Sequence, residues 1–275
     1  MATVANIKNS EGSHYYYPDG TPCYSLPKKD GSGMKVPTLA DARKLNLLPG
    51  VSTILRVLHK EALVQWLVEQ ACLAILTSPR LPGEKDDDFT KRILSTERVQ
   101  DQESQIARDR GTEIHDGLDL LAKGQPAPEA ILPWIKPAFE AVLKYGEVVS
   151  TEISIAGDGY GGRIDLIQKA PECLWVWDWK STKKLPDPNK GGAWRDHLLQ
   201  TSAYARAVEK KIIAKETRCP KIRTGNVYIS TVEPGAFVIC EHDDTPESNW
   251  GKTYLEGFEP LVRHWCWSNS FWPKQ

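Results

Sequence analysis

Two apolar segments constrain this chain more than any other feature: Gly162-Arg-Ile-Asp165-Leu-Ile and Leu174-Trp-Val-Trp-Asp178-Trp-Lys180-Ser-Thr. β-Branched, aromatic and aliphatic residues dominate both, and turn residues bound them, so each reads as a strand. Side chains alternate across a strand, which puts Val176, Asp178 and Lys180 on one face and Trp175, Trp177 and Trp179 on the other. A carboxylate and an ammonium on a nearly buried strand are costly unless they have partners or a task. With Asp165 on the preceding strand, two carboxylates and a lysine meet the needs of metal-assisted phosphodiester hydrolysis.

The rest of the chain divides by character. Residues 1–50 are rich in Gly, Pro, Ser and Tyr, with a turn signal at Tyr17-Pro-Asp-Gly20, and read as an irregular extension or small hairpin. Ser52 is the expected N-cap of a short helix reaching about His59. In a second helix over 61–77, Glu61, Gln65 and Glu69 form one stripe and nearly everything else is apolar, which predicts a largely buried helix. Helices are expected at 86–98 and 101–123, then, after Pro126, Pro128 and Pro133, from Trp134 to Tyr145. Strands follow at 147–155, 160–168 and 174–181, a helix at 195–210, strands at 226–231 and 236–241, and a Trp-rich helix at 248–267. The order predicts an α/β core over 146–275 with a helical cap over 51–145.

The net charge is -1, so no global basic field advertises a nucleic-acid partner, and any such contact must be local. Lys28-Lys29, Lys183-Lys184 with Lys190 and Arg195, and the run from Lys210 to Arg223 are the basic clusters. The six cysteines are scattered with no C-x-x-C pair and read as reduced thiols. The N-terminus has no apolar targeting segment and no apolar run is long enough to cross a bilayer, so the expected compartment is cytoplasmic, with no membrane partner.

A D-x-K tripeptide alone is common; its surroundings give it meaning. Gln200 and Tyr204 lie four apart on the helix that follows, hence on one face, and Arg110-Gly-Thr-Glu-Ile-His115 falls in a helix upstream. This set resembles the RecB-like branch of the PD-(D/E)xK nuclease superfamily, which includes phage and mitochondrial exonucleases. The likeness spans residues 105–210 in motif and continues to 241 in element order. It implies a restriction-endonuclease-like core, a mixed sheet flanked by helices. His115, Asp165, Asp178 and the Trp179 backbone carbonyl would be metal ligands, and Lys180 the catalytic lysine. Gln200 and Tyr204 would support the site and contact the DNA backbone, and Glu152 matches an acidic position on the first core strand. Arg163 could touch phosphate or pair with Glu152, and Lys183 and Lys184 lie on the approach to the reacting phosphate. Ile164 stands where the superfamily name has proline, and the cysteine set of the iron-sulfur relatives is missing, so no iron-sulfur cluster is expected.

The resemblance thus implies an Mg²⁺- or Mn²⁺-dependent DNA exonuclease of phage or bacterial recombination and repair. Its substrate would be DNA ends or single strands, with a single-strand annealing or recombination protein as partner. A structure-selective endonuclease and a non-catalytic DNA-end-binding protein on a decayed nuclease fold are the alternatives. The face of Trp175, Trp177 and Trp179 is expected to be core, and Trp265, Trp267 and Trp272 to pack the closing helix.

Overall fold

The computed structural model describes residues 14–58, 61–187, 192–213, 221–242 and 249–274. The short strands β1 (Tyr15–Tyr16) and β2 (Pro22–Cys23) pair with each other, and β3 (Leu26–Pro27) pairs with β4 (Met34–Lys35). Helix α1 (Leu39–Leu45), opened by a Thr38–Asp41 capping box, leads to β5 (Leu48–Pro49), which pairs with β1. Tyr15 and Tyr16 are both buried.

Helices α2 (Val51–Leu55), α3 (Glu61–Thr77), α4 (Asp86–Ala122) and α5 (Leu132–Val142) follow. The central sheet comprises β6 (Glu147–Ala156), β7 (Gly161–Lys169), β8 (Cys173–Thr182), β9 (Lys221–Ser230) and β10 (Phe237–Glu241), in the order β10-β9-β8-β7-β6. Neighbours are antiparallel except β8 and β9, which run parallel. A parallel pair needs a long crossover, and α6 (Arg195–Ile213) lies in that connection. The fold is therefore α/β with a mixed sheet flanked by helices.

Period-2 patterning on β8 divides the core as expected. Trp175, Trp177 and Trp179 pack with Ile114 and Leu118 of α4 and Ile135 and Phe139 of α5 on one face. Val176 points the other way, against Leu199, Ala203 and Val208 of α6 and Ile54 of α2. Trp175 and Trp177 stack 4.7 Å apart, and Gln168 accepts the Trp177 indole N–H at 2.8 Å. That bond satisfies the indole donor inside an otherwise apolar layer.

Several local expectations are corrected. The two helices expected at 86–98 and 101–123 are one, α4, because no Gly or Pro interrupts the chain between them. Helix α3 was expected to be largely buried, yet Val64, Val68, Leu73, Ile75 and Leu76 are exposed, Leu76 at 80%. An all-round apolar helix has no unique inward face, and α3 packs on α4 along one side. Gly50, not Ser52, caps α2, with no side-chain bond, and His59 lies outside the described residues. Strand β9 begins at Lys221 rather than 226, since Ile222 and Thr224 extend the buried alternation.

The closing helix is also interrupted. A π-helical turn at Thr253–Phe258 separates Trp250–Lys252 from α7 (Glu259–Ser268). Pro260, with no N–H to donate, sits in the first turn of α7 and accounts for the interruption. Trp265 is buried with Val262 and Cys266, but Trp267 and Trp272 are exposed, contrary to expectation. Two residues past Trp265 the helix has turned about 200°, which points Trp267 outward. Among the described residues, Cys23, Cys72, Cys173, Cys240 and Cys266 are free thiols, and no helix is long and apolar enough to cross a membrane.

Candidate active site

Strands β7 and β8 pair only up to Leu166↔Trp177, and beyond that point the ladder stops. In the gap, Asp165 Oδ2 accepts the Trp179 backbone N–H at 2.7 Å. An extended residue points its N–H and C=O to the same side, so the Trp179 carbonyl also faces this gap. Both acids are withdrawn from water, Asp165 with 8% of its surface exposed and Asp178 with 2%.

His115, Glu152 and Asp165 converge here, with one potential ligand atom from each lying within 4.8 Å of the others. Helix α4 delivers His115, whose Nδ1 is 3.9 Å from Asp165 Oδ2. Gly111, one turn earlier, permits the approach, because a Cβ there would stand 2.7 Å from Ser181 Oγ on β8. Glu152 comes from β6 opposite Asp165 and holds a left-handed backbone conformation, φ 51°. Such strain in a non-glycine residue costs about 1–3 kcal/mol and concentrates at functional sites. Arg163 Nε binds Glu152 Oε2 at 2.7 Å, so the structure pairs these two residues.

Asp178 and Lys180 lie side by side on the α6-facing side of β8. Asp178 Oδ2 receives Lys180 Nζ at 2.8 Å and Asn226 Nδ2 at 2.7 Å. Lys180 also donates to Gln200 Oε1 at 3.0 Å, and Gln200 Nε2 donates to the Tyr204 hydroxyl at 2.8 Å. The Gln200–Tyr204 pair therefore fixes the lysine rather than merely packing the helix. Gly162 lets Tyr204 lie close against β7, since a Cβ at 162 would meet its ring at 2.7 Å.

The electrostatics follow from this crowding. Burial, then the charges of Asp178 and Glu152, hold the Asp165 carboxyl well above the usual carboxylate range, with Lys180 and the Trp179 N–H opposing. Desolvation, aided by Lys180, pushes His115 down to about 4, leaving the neutral imidazole that a metal requires. Burial and the Asp178 charge push the Tyr204 phenol well up, so it stays protonated. Clustered carboxylates, a backbone carbonyl and one neutral imidazole suit a hard or borderline divalent cation such as Mg²⁺ or Mn²⁺. The raised Asp165 pKa marks a carboxylate whose ionisation a cation would favour.

Lys183 and Lys184 are exposed at the end of β8, outside this cluster, and Lys190 lies outside the described residues. Four residues not anticipated from the sequence, Asn226, His242, Thr224 and Thr201, complete the setting. Asn226 stands opposite Asp178 in the parallel register, and its Oδ1 lies 2.9 Å from His242 Nε2. His242 Nδ1 is 2.9 Å from the Thr224 hydroxyl and 3.1 Å from that of Thr201. Because Asn226 gives its NH₂ to Asp178, its carbonyl must accept from His242, which fixes the amide orientation and the Nε2–H tautomer. Burial pushes His242 down to about 3 and keeps it neutral. The place of Asn226 opposite Asp178 depends on the parallel β8–β9 register, which no local sequence pattern announces.

A family model described as the PD-(D/E)XK nuclease superfamily matches residues 71–253, about two thirds of the chain. No curated protein matches it. One solved structure, titled "Crystal structure of SSO0001", is similar at 21% identity with a TM-score of 0.26. That alignment covers 50% of this chain and 58% of the other.

Proposed function

The chain belongs to the PD-(D/E)XK nuclease superfamily, and we propose that it is a divalent-metal-dependent DNA exonuclease of the RecB-like branch. The observation that carries this reading is the convergence of His115, Glu152 and Asp165 beside the Asp178–Lys180–Gln200 chain. His115, Asp165, Asp178 and the Trp179 carbonyl would hold Mg²⁺ or Mn²⁺, with Glu152 beside them. The ion supplies Lewis-acid polarisation of the scissile phosphate and a water of lowered pKa.

The protein's own groups position the reaction. Lys180, held on two sides, presents its remaining N–H to the attacking water or to a non-bridging phosphate oxygen, where negative charge grows. Asp178 and Gln200 keep that ammonium from swinging away, which is the preorganisation that makes an electrostatic contact useful. Tyr204, protonated, orients Gln200. The sheet segment 146–275 would carry the chemistry, and segment 51–145 brings His115 to it.

The charge distribution supports action at DNA ends. With a net charge of -1 the chain carries no global basic field for holding a duplex side-on, which takes many phosphate contacts. Its RecB-like motifs support a role in phage or bacterial recombination and repair, alongside a single-strand annealing or recombination protein. Closed circular DNA without nicks and the same DNA linearised test the end requirement. The circle should survive while the linear form is degraded to short products. Nicking of the circle at comparable enzyme concentration would replace this reading with a structure-selective endonuclease.

A further inference from the structure

Trp194 immediately precedes α6 and keeps 41% of its surface exposed, although its surroundings hold it firmly. Its backbone N–H donates to the Tyr228 hydroxyl at 3.2 Å. The rings of Tyr228 and His197 meet the indole edge-on, with centroids 5.1 and 5.2 Å away. Tyr228 in turn is tied to His197 Nδ1 at 2.8 Å and is fully buried. An exposed tryptophan braced in this way is a rigid apolar plate with little rotamer entropy left to lose on binding.

Its position is tied to the reaction centre. Tyr228 is the register partner of Lys180 on the adjacent strand, and adjacent strands lie about 4.8 Å apart. Arg195 opens the helix that carries Gln200, five residues or about 7.5 Å along its axis. Trp194, Lys184 and Arg195 line one cavity of about 470 Å³ with Leu185, Pro186 and Asp187. That volume falls within the range of roughly 300–1,000 Å³ typical of sites for small organic groups.

Resting on the nuclease reading above, we propose that Trp194 stacks an unpaired nucleobase of the strand whose phosphate is cleaved at Asp165, Asp178 and Lys180. Lys184 and Arg195 flank that base and contact the phosphates on either side. The occupant follows from the chemistry: a flat apolar surface takes a base, two cations take its phosphates, and the catalytic lysine is one strand away. A base can reach the indole only when it is out of the duplex stack. The subsite therefore selects a single strand or a frayed end, and its stacking contact tolerates any base.

The test uses the full chain carrying Lys180→Ala, so that DNA is bound but not consumed. Fluorescence anisotropy compares a labelled oligothymidylate with an abasic oligomer of equal length. The Lys180→Ala protein should bind the thymidylate more tightly. Adding Trp194→Ala should weaken thymidylate binding by about 5- to 140-fold, the equivalent of ~1–3 kcal/mol per stacked base. Abasic affinity should be unchanged, and Trp194→Phe should restore most of the difference. Arg195→Ala should weaken both ligands alike and lower the salt slope by about one. Equal affinity of the Trp194→Ala and Trp194-containing proteins for the thymidylate overturns the subsite, while the nuclease reading stands if the wild-type chain cleaves DNA. Failure to bind either oligomer, together with no cleavage by the wild type, overturns both.

Discussion

Asp165→Asn should make the metal-free protein more stable and the metal-loaded protein no more stable than that. Asp165 is almost fully buried, and burial plus the charges of Asp178 and Glu152 raise its pKa well above the ordinary range. An asparagine keeps the bond from the Trp179 N–H through its own oxygen and removes the charge. The gain should resemble other cases where a functional group is traded for stability, about 0.5–2 kcal/mol. The sign with pH follows by linkage. A carboxylate with a raised folded pKa contributes its full stability below the unfolded value, near pH 4, and loses it as pH rises through the folded value. The metal-free wild type should thus lose stability over that window, and Asp165→Asn should not. Manganese reverses the trend in the wild type, because ligation needs the ionised carboxylate. At a hundredfold excess over Kd it should add about 2.7 kcal/mol, or about 5–10 °C in Tm for a chain of this size. Differential scanning calorimetry with and without Mn²⁺, at several pH values, reads all of this. A variant that is less stable without metal and still gains the full Mn²⁺ shift would refute the placement of the ion at Asp165.

Three further outcomes follow from the same geometry. Asn226→Ala removes one of the two bonds to the buried Asp178 carboxylate and should weaken Mn²⁺ affinity about 10- to 100-fold; unchanged calorimetric affinity in a folded variant would separate Asn226 from the site. His115→Ala should lower Mn²⁺ affinity more than Mg²⁺ affinity, since imidazole suits the softer ion, and an equal loss for both would return His115 to packing. Glu152→Gly and Glu152→Ala lose the same Arg163 pair, but only glycine accepts φ 51° freely. The Gly variant should be more stable than the Ala variant by about 1–2 kcal/mol in urea denaturation, and the reverse order would show that the strain at 152 is not real.

Much of this arrangement was legible in the sequence because β-strand alternation is strict. Once β8 was read as a strand, Asp178 and Lys180 had to share a face opposite the tryptophans. Helical spacing likewise put Gln200 and Tyr204 together, and the structure adds that they hold Lys180. Asn226 was not legible, because its place opposite Asp178 depends on the parallel β8–β9 register across 48 residues of chain. His242 lies farther still, beyond β10, and is linked to Asp178 through Asn226. The exposure of α3 and of Trp267 escaped for another reason. Apolar composition says that a surface could be buried, but only the positions of other elements say whether something covers it. The π-helical turn before α7 had a local sign in Pro260, visible once the helix was known to continue past it.

Cleavage itself is the most direct test of the central claim, that Asp178 and Lys180 act with a divalent ion to hydrolyse DNA. End-labelled linear DNA, incubated with the purified chain and Mg²⁺ or Mn²⁺, should release short labelled products. Chelation by EDTA should stop the release. Asp178→Ala and Lys180→Ala should each abolish it, and Lys180→Ala should still bind Mn²⁺, because an ammonium is never a ligand. Degradation that persists in EDTA, or in folded Asp178→Ala at a rate near wild type, would contradict the account.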